Sequence, residues 1–310
     1  MAHFDIGNIV RELHDARQQW RQAHRPAGEV RGIEFPSRDA LVEIVTQLKG
    51  ALFPLRLGPP GLRRDSEDFH VAHALDSALH ALLRQVEIEL HYSAALEQRT
   101  DGDIASQALE ATRAFAAALP EVRMQVDSDV LAAYQGDPAA RSVDEVLLCY
   151  PGVLAMIHYR LAHRLYQLGL PLLARIISER AHAATGIDIH PGARIGTGFF
   201  IDHGTGVVIG ETAVIGQRVR LYQAVTLGAK RFPTNADGSL QKGLPRHPIV
   251  EDDVVIYAGA TVLGRITIGK GAVIGGNVWL THDVAPGARV AQAASREEVF
   301  ETFGSPDAPA

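Results

Sequence analysis

From Gly186 onward a single spacing governs the chain. Ile189, Ile195 and Ile201 stand six residues apart, as do Ile209, Ile215, Leu221 and Leu227. The same spacing runs through Val250, Ile256, Val262, Ile268, Ile274 and Leu280. Four residues after many of these comes a second apolar or small residue: Ala213, Val219, Val254, Ala260, Ile266, Ala272 or Val278. A six-residue apolar repeat with intervening glycine is the signature of a parallel β-helix, in which each repeat makes one short strand. The branched side chain points inward, and glycine or a small residue permits the corner.

The repeat is interrupted twice. Ile201 and Ile209 are eight residues apart, so two extra residues sit in "DHGTG". Between Leu227 and Val250 lies "GAKRFPTNADGSLQKGLPRHP", which must leave the scaffold as an exposed loop. Loops held by a rigid scaffold are where chemistry tends to sit. The first break carries His203, directly after Asp202; the second ends on Arg246 and His247. Asp188 lies fifteen residues before His203, close to the eighteen that one three-sided coil requires. The two therefore fall on adjacent coils, where a carboxylate can fix the tautomer of an imidazole and stabilise its charged form.

Upstream, residues 40–185 read as helices. "SEDFHVAHALDSALHALLRQVEIEL" repeats apolar residues at three and four, with Ser66 as its expected N-cap. Ser142 and Glu145 have the spacing of a capping box, after a break at Gly136-Asp137-Pro138. Residues 151–168 and 171–184 continue the helical pattern. The expected architecture is therefore α+β: a helical region over 1–185, the β-helix over 186–290 and a tail over 291–310.

With 46% hydrophobic and 21% charged residues, the chain is of the ordinary globular class. A net charge of −6 argues against a nucleic-acid surface. No apolar run approaches the roughly 20 residues of a membrane span, and the N-terminus has no signal-like apolar core. The single cysteine, Cys149, excludes an internal disulfide and fits a reducing cytoplasm. In "LLCYPG" it reads as a buried small side chain. His190, before Pro191, reads as a turn residue. His158 and His163 read as surface or interhelical residues. Of His70, His73 and His80 only the first two share a helix face, so neither a metal site nor a resident cofactor is expected. "GRITIGKG" imitates the start of a phosphate-binding loop, but Gly271 stands where Ser or Thr would bind magnesium.

"DIHPGARIGTGFFIDHGTGVVIGETAVIG", "VTLGA" and "RHPIVEDDVVIYAGATVLG", together with the upstream "DPAARSVDEVLLCYPGVLAMIHYRLAHRLY", resemble the bacterial serine O-acetyltransferases. That resemblance implies a left-handed β-helix behind a helical domain, assembled as a trimer or a dimer of trimers, with active sites between neighbouring β-helices. It implies acetyl-CoA as co-substrate, L-serine as acceptor and L-cysteine as feedback inhibitor. His203 would be the general base, Asp188 its partner, and His247 would lie near the reacting hydroxyl. Arg246 would bind the serine carboxylate, and Asp137 and Asp202 its ammonium. Gly228, Ala229, Ala258 and Gly259 would cradle the coenzyme, and its phosphates would meet Lys270, Lys230, Arg231 or Lys242.

The sequence departs from the family pattern in places. Ala229 replaces a second glycine, and Val273 stands where a lysine is common. Many members end in an isoleucine that docks into the next enzyme of the pathway; Ala310 here speaks against a complex with cysteine synthase. Transfer to a sugar or amino sugar is the alternative acceptor chemistry. A zinc-dependent carbonic anhydrase would need three clustered histidines. A non-catalytic scaffold would have no use for Asp188, His203 and His247.

Overall fold

A computed structural model describes residues 4–24, 34–97 and 102–293, and the tail after Ala293 lies outside the described residues. Among the described residues eight α-helices precede the β-helix: α1 (Ile6–His24), α2 (Arg38–Leu52), α3 (Pro54–Leu57) and α4 (Glu67–Leu96) come first. They are followed by α5 (Ile104–Gly136), α6 (Val143–Cys149), α7 (Pro151–Gln167) and α8 (Pro171–Thr185). Leu48, Leu82, Phe115, Val126 and Leu161 are among the buried side chains that pack α2, α4, α5 and α7 into one core.

The local signals fare unevenly. Ser142 accepts the Glu145 amide at 3.0 Å, and the Glu145 carboxylate reaches back to the Arg141 amide at 2.7 Å, one residue earlier than a capping box requires. Ser66 precedes α4 without capping it. A 3-10 turn over Arg64–Ser66 leads into the helix, and the Ser66 hydroxyl donates to Arg63 O instead. α1 lies within the 1–185 region expected to be helical but before residue 40, where the helical pattern begins, and its apolar side chains Ile6, Ile9 and Leu13 are exposed. Cys149 is exposed rather than buried, because the last turn of α6 presents it outward while Val146 and Leu147 face the core.

Two buried carboxylates join distant elements. Glu89 accepts the Leu172 and Leu173 amides at 2.7 and 2.8 Å, which satisfies donors left open at the start of α8. Asp129 of α5 pairs with Arg160 of α7 at 3.0 Å, both almost fully buried. Asp129 also accepts the Phe199 amide, and Arg160 donates to Ile195 O and Gly196 O. Burial raises the Asp129 pKa to about 6 against the pull of Arg160. The pair clamps the helices to the first coil.

The repeat folds as a left-handed parallel β-helix with three faces. The first face holds β1 (Asp188–Ile189), β4 (Val208–Ile209), β7 (Thr226–Gly228), β10 (Thr261–Leu263) and β13 (Trp279–Leu280). The second holds β2 (Arg194–Ile195), β5 (Val214–Ile215), β8 (Ile249–Val250) and β11 (Thr267–Ile268). The third holds β3 (Phe200–Ile201), β6 (Arg220–Leu221), β9 (Val255–Ile256), β12 (Val273–Ile274) and β14 (Arg289–Val290). The residues of the six-spaced series are buried inside the prism. Three edges separate the faces: the first edge lies between faces one and two, the second between two and three, the third between three and one.

Candidate active site

The two extra residues of the first break are a left-handed pair on the third edge, His203 at φ 59° and Gly204 at φ 93°. A non-glycine residue there costs roughly 1–2 kcal/mol, so the conformation is held by its surroundings. A Cβ on Gly204 would sit 2.5 Å from Ile187 Cδ1, which explains the glycine. The His203 side chain is 72% exposed, with Nε2 3.9 Å from Asp202 Oδ1.

Asp202 is itself tied to Arg220 at 2.5 Å, and Arg220 donates to Gly136 O at 2.7 Å while lying over the rings of Phe200 and Tyr222. Asp137 follows the end of α5. Its Oδ2 accepts the Tyr150 hydroxyl at 2.5 Å and its Oδ1 accepts the Ala139 amide. The Tyr150 bond is the main cause that holds Asp137 below the usual carboxylate range, with smaller help from Arg220 and His203. The same bond pushes Tyr150 up to about 12. Two carboxylates and one guanidinium thus leave a net negative charge beside His203. Further along this edge Tyr222 and Tyr257 stack at 4.9 Å.

Asp188 opens β1 on the first face, beside this edge and one coil earlier, with Asp188 N bonded to Val207 O and Gly206 N to Gly186 O. Sequence spacing therefore places the coils correctly. The expected side-chain pair is nonetheless not formed: no hydrogen bond or ion pair among the described residues joins Asp188 to His203. The left-handed turn sends the imidazole outward, while Asp188 groups with Glu179 and His182 at the end of α8. That trio is the only candidate metal-holding group among the described residues, and it contains one histidine.

The second break ends on the first edge. The Arg246 guanidinium meets Glu211 at 2.6 Å, and Tyr166 donates to the other Glu211 oxygen at 3.2 Å. His247 is 7% exposed. Its Nδ1 lies 3.0 Å from the Thr212 amide. An amide can only donate, so Nδ1 is the acceptor and Nε2 of the neutral ring carries the proton. Burial first, and then the Arg246 charge, lower the His247 pKa to about 4. Arg265 donates to Thr212 O and His247 O and pins the rejoining strand. His190 is a turn residue as expected, its Nδ1 accepting the Gly192 amide.

The loop of the second break folds over the first edge and lines a cavity of about 620 Å³. Lys230, Arg231, Lys242, Arg246 and Arg265 line it against a single carboxylate, Glu211, with Phe232, Leu240 and Leu263 as apolar wall. It is built for an elongated anion with an apolar segment. Of the residues expected at the coenzyme, Gly228 and Ala229 lie where this loop departs, whereas Ala258 and Gly259 lie on the third edge. Lys270 is on the second edge, its amide bonded to Glu251 and its ammonium 3.9 Å from Asp253, away from both groups.

The sequence reading missed Tyr150, Arg220, Glu211 and Thr212, which orient or balance the residues it named. Glu211 and Thr212 stand in the "GETA" of the first long motif. Tyr150 and Arg220 carried no local signal.

Residues 247–282 match the family described as bacterial transferase hexapeptide (six repeats). The chain is 56% identical to a plasmid-encoded serine acetyltransferase of Synechococcus elongatus over 273 residues, 87% of this chain and 86% of that protein. It is 51% identical to the serine acetyltransferase of Mycobacterium tuberculosis over 52% of this chain and 67% of that protein. Among solved structures, serine acetyltransferase 1 of Entamoeba histolytica in complex with L-cysteine superposes with a TM-score of 0.70 at 37% identity, covering 81% of this chain and 86% of that one. Soybean serine acetyltransferase complexed with serine gives a TM-score of 0.52 at 31% identity, over 84% and 99% of the two chains. With its hexad scaffold, its two polar edges and this degree of likeness over most of its length, the chain belongs to the serine acetyltransferase family and is an acyltransferase.

Proposed function

We propose that this serine acetyltransferase takes its acetyl group from acetyl-CoA and assembles each active site from the third edge of one copy and the first edge of its neighbour. The observation that carries this reading is the division of labour. His203 and Asp202 lie on one edge with Asp137 beside them; Arg246 and His247, with its Nε2–H, lie on another, across the first face. Outward on that face below Asp188 stand Val208, Thr226, Thr261 and Trp279, all uncharged, as a surface packed against copies of itself requires. A closed ring of three copies brings every third edge to a first edge.

In such a site Asp137 and Asp202 hold the serine ammonium and Arg246, braced by Glu211, holds its carboxylate. His203 removes the hydroxyl proton as the oxygen attacks the thioester carbonyl, and Asp188 orients the imidazole once the neighbour and substrate turn it inward. His247 donates from Nε2 to the oxygen on which charge develops, a role its fixed tautomer suits. The C–S bond then breaks and the imidazolium returns its proton to the coenzyme thiolate. The basic cavity under the loop receives the coenzyme phosphates. General-base assistance supplies roughly 10² to 10⁴ in rate, and positioning the rest.

L-Cysteine carries the same two charged groups as serine, so it fits the same grip with its thiol toward His203 and His247, and the cysteine complex of the Entamoeba relative supports this. Inhibition competitive with serine is expected. The deciding experiment is thiol release from acetyl-CoA with L-serine, homoserine, galactosides and amino sugars as acceptors, repeated with His203→Ala. Serine should be preferred and the variant should lose about 10² or more in kcat. Preference for a sugar, or a folded His203→Ala variant with normal turnover, overturns the assignment.

A further inference from the structure

A second polar cavity, in the helical domain, is used by none of this chemistry. It encloses about 140 Å³ among α2, α7 and α8, with Leu41, Leu154 and Ile177 in its apolar lining. Three basic side chains converge on it from three helices: Lys49 from the last turn of α2, His158 from α7 and Arg180 from α8. Among the described residues no carboxylate lines it. Among the described residues neither Lys49 nor Arg180 forms an ion pair or a side-chain hydrogen bond.

His158 is 9% exposed, and its Nδ1 lies 2.8 Å from Leu154 O. A carbonyl can only accept, so Nδ1 carries the proton and Nε2 presents a lone pair with no partner among the described residues. Burial pulls Lys49 below its ordinary range. Burial, with smaller repulsion from Lys49 and Arg180, also brings His158 down to about 4. Lys49 is half-buried and Arg180 exposed, so two cations, one of them partly desolvated, face the cavity with no counter-ion among the described residues.

We infer that this cavity is a binding site for a small protonated oxyanion of the phosphate type. Lys49 and Arg180 supply the charge, the arginine in a fork suited to two oxygens. The distinguishing contact is at His158: a P–O–H group donates to the waiting Nε2. Sulfate at neutral pH has no proton to give, so it leaves lone pair facing lone pair. The volume is well below the roughly 300–1,000 Å³ of sites for drug-sized ligands, so a single phosphate group fits and a nucleotide does not.

Calorimetry on the full chain at neutral pH without acetyl-CoA tests this, with inorganic phosphate, methyl phosphate and sulfate compared at equal ionic strength. One saturable phosphate site per chain is expected, weakened tenfold or more in Lys49→Gln and in Arg180→Gln and unchanged in Arg246→Ala, which alters the other basic cavity. Serine acetylation should be unchanged in the first two variants, which shows them folded. Inorganic phosphate, which keeps a P–O–H group at neutral pH, should bind more tightly than methyl phosphate, which is mostly the unprotonated dianion there; the reverse order would overturn the His158 contact. In the intact wild-type chain the His158 ring resonances should shift as phosphate is added. Absence of saturable binding, binding that survives in the doubly substituted chain, sulfate binding as tight as phosphate, or His158 resonances that stay still would each overturn the assignment.

Discussion

His203 and His247 stand on opposite edges of the same face of one β-helix, one following β3 and the other preceding β8. No rearrangement of side chains brings them together within a chain, because the rigid first face separates them. His203→Ala and His247→Ala chains should therefore each be inactive alone and complement when refolded together. In a random mixture roughly a quarter of the sites join an intact third edge to an intact first edge, and activity should recover to about that fraction of wild type. Failure to recover, with trimers present, would place both histidines in a site built by one chain.

The Tyr150 hydroxyl bonds the Asp137 carboxylate from the start of α7, thirteen residues away. Tyr150→Phe leaves the carboxylate free to rotate and removes the main influence that favours its charged form. The serine KM should rise roughly three- to tenfold with little change in kcat, since the ammonium is bound alike before and during reaction. A fall in kcat at constant KM would move Tyr150 into the chemical step.

A Cβ on Gly210 would lie 2.0 Å from His247 Cδ2, so the ring rests directly on this glycine. Gly210→Ala should push the imidazole off its Thr212 amide and lower kcat about tenfold or more. The scaffold should survive, because Gly210 is not one of the left-handed glycines and a Cβ leaves its backbone bonds to Leu227 O and from Ala213 N in place. Thermal unfolding measured beside turnover separates the two effects.

His247, at about 4, stays neutral as pH falls from 8 to 5. His247 should accordingly add no protonation step of its own to the acid limb of log kcat/KM. A slope of two would mean that His247 also titrates. The sign for stability follows the same shift: a folded pKa below the ordinary 6.5 means unfolding takes up a proton. The contribution of His247 is thus complete above pH 6.5 and declines toward pH 4.

The six-residue period by itself determined the β-helix, its inward residues and both interruptions, because a hexad is a local steric instruction repeated coil after coil. It also put Asp188 and His203 on neighbouring coils, and "RHP" at the rejoining corner. The tertiary structure alone decided which edge each group occupies, since that depends on where the insertions fall around a three-sided prism. It sent His203 outward through a left-handed φ, paired Asp137 with Tyr150 and Asp202 with Arg220, and placed Lys270 on the second edge. Local capping was legible at Ser142, where the donor is three residues away, and misleading at Ser66, where a preceding 3-10 turn displaced it. The Glu89 carboxylate caps α8 from 83 residues upstream. Contacts of that length are set by packing, which no short stretch of chain encodes.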